Sequence, residues 1–310
     1  DQIIVCPAFP RTGRTVFQGH LFVKDQLLSD SPMKDHPITP MSDPDIRRVL
    51  SRQSDGAVGH VPMTIVGQGE SAIRDALAEE AREGRHLIIV DAVQDENLIA
   101  IGAAAKKLRL VTGGSGVAEG LCANFVKSGL IAKKKEEWMG QKGRCAILSG
   151  SCSEATRRQI ETHGENEMQY EIDVAAVMRE EIGVNELVSW LLVQDGLPII
   201  YSSASPKSVK AVQAEFGANA VAGKLGVLFG ELAVRLVDAG IERLIVAGGE
   251  TSGSVVEALA TTVLTIGPEI DPGVPAMRGR EKLTLALKSG NFGADDFFQA
   301  AALVLAGEMK

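Results

Sequence analysis

The chain has 310 residues, 45% apolar and 23% charged, and its 32 basic against 40 acidic side chains leave a net charge of −8. That length suits two domains, each able to bury its own core, and the acidic balance argues against a nucleic-acid binder, which needs a basic face. No apolar run is long enough for a membrane-spanning helix, no secretory pattern is visible, and Cys6, Cys122, Cys145 and Cys152 lack CxxC spacing, so a reduced, cytoplasmic setting is expected.

In chain order, apolar runs predict strands at 3–8, 16–23, 57–61, 87–90 and 108–111, with helices at 43–54, 71–83, 96–107 and 117–128. The alternation reads as α/β: a mostly parallel sheet covered by helices. Asp43-Pro44-Asp45 is a helix start, with an acidic cap and Pro at the first helical position. The chain enters Ile3-Ile4-Val5-Cys6 directly from Asp1, so a preceding segment is expected. The charged stretch from Lys133-Lys134-Lys135-Glu136-Glu137 to Gly143 reads as a domain edge, or else as a solvated helix face.

Residues 144–310 read as a second α/β domain. Strands are predicted at 145–148, 169–172, 198–201, 243–246, 262–266 and 283–287. Helices are predicted at 152–162, 175–194, 205–216, 221–239, 253–261 and 296–306.

One local design recurs. A buried strand ends in a small-residue turn before a helix at Thr112-Gly113-Gly114-Ser115-Gly116, at Ser149-Gly150-Ser151-Cys152-Ser153 and at Gly248-Gly249-Glu250-Thr251-Ser252-Gly253. Unpaired N–H groups and the positive end of the helix dipole make such turns suited to phosphate, at the carboxyl edge of a parallel sheet. The alternative is purely structural: Ser151 with Glu154 and Ser254 with Glu257 both read as capping boxes, and glycine pairs relieve backbone crowding. Neither a Walker loop nor a dinucleotide fingerprint is present. The run 270–275 reads as a rigid turn around Pro272-Gly273. Residues 288–293 read as a further strand-end loop, with Lys288 as a counter-charge. No GxSxG elbow occurs, and the five histidines form no triad pattern; His20, beside Gly19, is the best candidate among them.

Taken together, Cys6-Pro7-Ala8-Phe9-Pro10, the run Gly13-Arg14-Thr15-Val16-Phe17-Gln18-Gly19-His20-Leu21-Phe22-Val23, His36-Pro37-Ile38-Thr39-Pro40-Met41, Ser149-Gly150-Ser151-Cys152-Ser153, Gly248-Gly249-Glu250-Thr251-Ser252-Gly253 and Ser289-Gly290-Asn291-Phe292-Gly293 resemble the four-carbon acid sugar kinase family from end to end. Members similar to this chain are 3-oxo-tetronate 4-kinases, with D-threonate and erythronate kinases as relatives. The resemblance implies an acid-sugar-binding domain over 1–135, a nucleotide-binding domain over 144–310 and an active site in the cleft between them. It also implies ATP and Mg²⁺ as cosubstrate and ion. Ser149, Ser151, Gly248, Gly249, Glu250, Thr251, Ser252, Gly253 and Gly293 would hold the nucleotide, and Arg14 or His20 would meet the acid sugar. Family members carry an element before the Cys6–Pro10 motif that is expected to supply the catalytic carboxylate. Within the chain Glu250 and Asp271 are the carboxylates considered, and no metal ligand set is read from spacing. Small molecules are thus the expected partners, with no nucleic acid and no membrane; self-association into a homo-oligomer is allowed for. The rival readings are a non-catalytic nucleotide-binding module and a dehydrogenase, which the missing fingerprint disfavours.

Overall fold

The chain divides into two units, Asp1–Lys135 and Glu136–Lys310. The computed structural model describes residues 2–35, 39–132, 137–280 and 282–308. Asp1, the His36-Pro37-Ile38 part of the third motif and the Lys133-Lys134-Lys135-Glu136 part of the domain edge lie outside the described residues.

In the first unit, strands β1 (Ile3–Cys6), β2 (Arg14–Phe17), β3 (His20–Val23), β4 (Gln26–Leu27), β5 (Val58–Val61), β6 (Leu87–Val90) and β7 (Val111–Gly113) join helices α1 (Ile46–Ser51), α2 (Met63–Val66), α3 (Glu70–Arg82), α4 (Asp95–Ala104) and α5 (Ser115–Lys127). The parallel sheet runs β5-β6-β1-β7. Its apolar side chains, among them Ile4, Cys6, Ile88 and Val90, pack with Ile73 and Leu77 of α3 and Leu98 and Ile101 of α4. Burial on both faces explains why these short strands read as unbroken apolar runs.

Two expectations change here. Residues 16–23 are not one strand. Gln18 (φ 51°) and Gly19 (φ 69°) both adopt left-handed backbone, which makes the two-residue turn that suits strand twist, so β2 and β3 pair antiparallel and β4 completes a separate three-stranded sheet. The helix expected from Asp43 starts at Ile46, and its cap is Asp45, whose carboxylate accepts from the Arg47 amide. The Pro44 carbonyl is taken by the Leu21 amide at 2.9 Å, outside any helix.

The second unit contains β8 (Arg144–Ser149), α6 (Glu154–Gly164), β9 (Gln169–Glu171), α7 (Val174–Met178), α8 (Val184–Leu192), β10 (Ile199–Tyr201), α9 (Pro206–Phe216), α10 (Ala218–Asp238), β11 (Ile241–Ala247), α11 (Gly249–Ala258), β12 (Thr265–Asp271), β13 (Val274–Arg280), β14 (Leu283–Lys288) and α12 (Phe297–Ala306). Its sheet order is β12-β13-β14-β11-β8-β10-β9. The five strands from β14 to β9 are parallel, and β12-β13-β14 are antiparallel. Period-2 alternation divides the core between the two faces. Ala146, Leu148, Leu244 and Val246 meet α8, α10 and α11, whereas Cys145, Ile147, Ile245 and Ala247 meet α6 and α12.

Four further expectations are corrected. The helix read over 175–194 is two helices, interrupted where Glu180 takes φ 63° and Gly183 precedes α8. The 270–275 run is a turn as expected, at the hairpin tip of β12 and β13 with Gly273 at φ 78°, and the correction there is β13, a strand absent from the sequence reading. α11 begins at Gly249, four residues before the expected start, so Ser254 lies inside the helix and caps nothing. The α6 cap is Ser153, which accepts from the Thr156 amide, in place of Ser151.

Candidate functional site

Register aligns four strand ends in a row. Lys288 of β14 pairs with Ala247 of β11, Ala247 with Ser149 of β8, and Ser149 with Tyr201 of β10. Each strand then enters a small-residue loop, and the N-termini of α6, α9 and α11 follow three of them. The carboxyl edge of this sheet therefore collects three positive helix ends.

The loops lock together through side chains. A Cβ on Gly150 would stand 2.2 Å from Thr251 Oγ1, and one on Gly290 would stand 2.6 Å from Ser151 Oγ. Ser153 Oγ accepts from the Thr156 amide at 3.1 Å and donates to the Gly290 carbonyl at 2.5 Å. Lys288 Nζ, 1% exposed, donates to Thr156 Oγ1 at 2.8 Å and to the Gly290 carbonyl at 3.0 Å. Thr156 Oγ1 passes a hydrogen bond to Ser151 Oγ at 3.2 Å. Burial pushes the Lys288 ammonium down to about 7.

The residues expected to hold nucleotide fall in this cluster, in different roles. Ser149 is fully buried and its hydroxyl lies 3.0 Å from Ser203 Oγ, so it shapes the wall. Ser151 and Thr251 are buried struts between loops. Gly249 and Gly253 have no atom within 4 Å of a built Cβ, so a ligand can approach the backbone there, and Glu250 is exposed in the first turn of α11. Gly293 (φ 89°) is held by Gln159, whose Nε2 donates to the carbonyls of Phe292, Gly293 and Ala294 at 2.9–3.1 Å. Asp271 anchors the same loop by accepting from the Ala294 amide at 2.6 Å. The turn over 112–116 differs: built Cβ atoms on Gly113 and Gly116 would strike the carbonyls of Cys6 and Ala8 at 2.0 and 2.5 Å. Its glycines admit the protein's own backbone.

Three contributors to this edge escaped the sequence reading. Ser202 and Ser203, after β10, complete the row, and Ser202 Oγ is buried without a partner. The signal was present, since Ile199-Ile200-Tyr201-Ser202-Ser203 repeats the strand-to-small-turn design. Thr156 had no signal, because its role depends on Lys288 reaching it across 132 positions.

In the first unit, Arg14 and His20 occupy opposite ends of one hairpin: Arg14 pairs with Val23 at the open end, and His20 with Phe17 beside the turn. His20 Nδ1 lies 2.7 Å from the Gln18 carbonyl. The turn itself hangs on Asp91, a fully buried carboxylate just beyond β6. Asp91 Oδ2 accepts from the Gln18 and Met63 amides at 2.7 and 3.0 Å. Its Oδ1 accepts from the Gly19 amide at 3.0 Å and from His60 Nε2 at 2.9 Å. Arg47 forks onto Asp45 at 2.9 and 3.1 Å, which holds the Asp45 carboxyl below its usual range, and reaches His60 Nδ1 at 3.5 Å. A carboxylate directly after an apolar parallel strand is the sequence signal for Asp91.

Among the described residues, no three His, Cys, Asp or Glu side chains gather into a metal site.

A row of strand-end turns fed by helix N-termini is the kind of sheet edge that suits phosphate. Residues 146–298 match the nucleotide-binding C-terminal domain family, and residues 1–121 match the sugar-binding N-terminal domain family. Similar proteins include the 3-oxo-tetronate kinases of Brucella melitensis (43% identical, covering 95% of this chain and 69% of that protein) and Pseudomonas fluorescens (44%, covering 99% and 72%). Solved structures include a Salmonella typhimurium LT2 protein described as a tRNA synthase (TM-score 0.77, 38% identical, covering 97% and 72%) and Haemophilus influenzae HI1011 (TM-score 0.67, 37%, covering 98% and 74%). The chain belongs to the four-carbon acid sugar kinase family. No described helix is long and apolar enough to cross a membrane.

Proposed function

We propose that this chain transfers the γ-phosphoryl group of ATP to a four-carbon acid sugar, 3-oxo-tetronate, at its 4-hydroxyl. The observation that carries the reading is the convergence of the 149–153, 248–253 and 288–293 loops at one sheet edge, in a chain whose relatives are 3-oxo-tetronate kinases. Phosphoryl transfer is mainly positioning and charge neutralisation, and this edge supplies both. The open backbone at Gly249 and Gly253 and the α11 N-terminus meet the phosphates. Ser149, Ser151, Thr251 and Ser252 set the shape of their cradle, Glu250 faces the ion, and the loop at Gly293 borders the same cradle. Mg²⁺ would shield phosphate charge during transfer. Arg14 and His20, on the hairpin of the sugar-binding unit, are the residues assigned to the acid sugar.

The test is ADP formation with Mg·ATP against 3-oxo-tetronates, D-threonate and D-erythronate, measured with this chain and with one extended at its start. Turnover with 3-oxo-tetronate above the other acids supports the reading. Turnover with D-threonate or D-erythronate alone reassigns the acceptor. Nucleotide binding with no turnover in either form leaves a binding module.

A further inference from the structure

Two neighbouring arginines near the start of α6 have opposite fates. Arg158 is spent: its Nη1 donates to Glu154 at 2.8 Å and its Nε to Asp295 at 3.3 Å. Arg157 is half-buried, and among the described residues its guanidinium has no hydrogen-bond or ion-pair partner. Its Nε is buried without an acceptor, while its two Nη groups stay open to solvent. A partly desolvated charge without a counter-ion is costly to keep, and the guanidinium fork is the side chain best matched to a phosphoryl group.

The helix sets where that fork lies. Side chains of a helix lean toward its N-terminus, so Arg157 leans toward the 149–153 turn. Cys152 of that turn registers it: burial pushes the thiol up, and the Ala204 backbone and the Arg157 charge draw it back. The Thr156 amide is held by Ser153 Oγ, whereas the first-turn amides of Glu154 and Ala155 are left to a ligand or water. Lys288 is 1% exposed and turned into Thr156 and Gly290, so Arg157 supplies the accessible positive charge beside this turn.

We propose that Arg157 is a catalytic residue that grips the terminal phosphoryl group of the nucleotide during its transfer. The proposal rests on the phosphoryl-transfer reading and adds the cation that neutralises the moving group. The bond from the terminal phosphorus to the bridging oxygen breaks, and ADP keeps the electron pair. The sugar's 4-oxygen bonds to phosphorus, and its proton is released to water. The three equatorial oxygens carry charge between these two states, and the open Nη groups donate to them.

The experiment uses this chain with two probes, ADP and the β,γ-imido analogue of ATP, which carries a terminal phosphoryl group that ADP lacks. Calorimetry of Arg157→Ala is expected to show the analogue weakened about tenfold or more and ADP changed less than about twofold. Dilute guanidinium chloride is expected to restore the analogue's affinity, and sodium chloride at the same concentration is not. In the form that turns over, kcat is expected to fall about a hundredfold or more, with the KM for the acid sugar unchanged. The urea midpoint should hold, because the guanidinium removed bonds no protein group. Equal losses for ADP and the analogue, an unchanged analogue affinity, or a falling midpoint without guanidinium rescue overturns the role of Arg157 and leaves the kinase reading standing. Failure of the unmodified chain to bind either probe removes that reading, and the role of Arg157 with it.

Discussion

Lys288 Nζ donates to Thr156 Oγ1 at 2.8 Å, tying the end of β14 to the first turn of α6. Through Thr156 the bond reaches Ser151, so a cation on one strand end sets the hydroxyl geometry at the end of another.

Lys288→Met is expected to separate binding from stability. The Gly290 carbonyl keeps the Ser153 hydroxyl as donor, and replacing a buried charge by an apolar side chain of similar length is often neutral or stabilising by ~1–4 kcal/mol. The urea midpoint should hold or rise, while the KM for ATP climbs about tenfold, the equivalent of ~1.4 kcal/mol. A midpoint that collapses together with the KM would show a structural role only.

The same lysine predicts a pH signature. Its pKa falls from 10.5 in the unfolded chain to about 7 in the folded one, through burial. Between those values the unfolded state binds more protons, so stability rises with pH across about 7 to 10.5 and is flat, as regards this group, below 7. The difference in unfolding free energy between the parent and Lys288→Met, followed by urea titration from pH 6 to 10, should therefore shift in favour of the parent as pH rises. A difference that stays constant with pH refutes it.

Gly293→Ala should damage the third loop. Its φ of 89° disfavours an L side chain, and the added Cβ would lie 2.7 Å from the ring of Phe297, which is 1% exposed and cannot yield. A loss of ~1–3 kcal/mol in stability is expected, with a several-fold rise in the KM for ATP and little change for the acid sugar.

Asp91→Asn tests the pin of the first unit. Each carboxylate oxygen takes two donors, so either orientation of the amide sets an NH2 group against N–H donors. A loss of about 1–3 kcal/mol is expected, and Asp91→Ala should cost about 3–5 kcal/mol. Hydrogen exchange at the Gln18, Gly19 and Met63 amides should accelerate in both variants. Unchanged protection there would contradict the assignment.

Most of the elements, and the turns that matter in the second unit, were legible because each depends on a local pattern: apolar runs such as Cys145-Ala146-Ile147-Leu148, then glycine and serine at the strand end. Boundaries were less legible where a distant partner decides them. The hairpin at Gln18-Gly19 exists because Asp91, more than seventy positions away, accepts from both amides. The start of α11 at Gly249 follows from a strand end already committed to the Lys288 carbonyl at 2.8 Å.

From the sequence alone came the α/β class, the strand-end turns and the family resemblance, since these reside in residue types and short spacings. The tertiary structure alone decided which glycines face open space and which face the protein's own backbone. It separated the 112–116 turn from the 248–253 turn and made Lys288 a buried strut. Hydrogen bonds and close approaches between segments far apart in the chain determine those roles, and local periodicity carries no record of them.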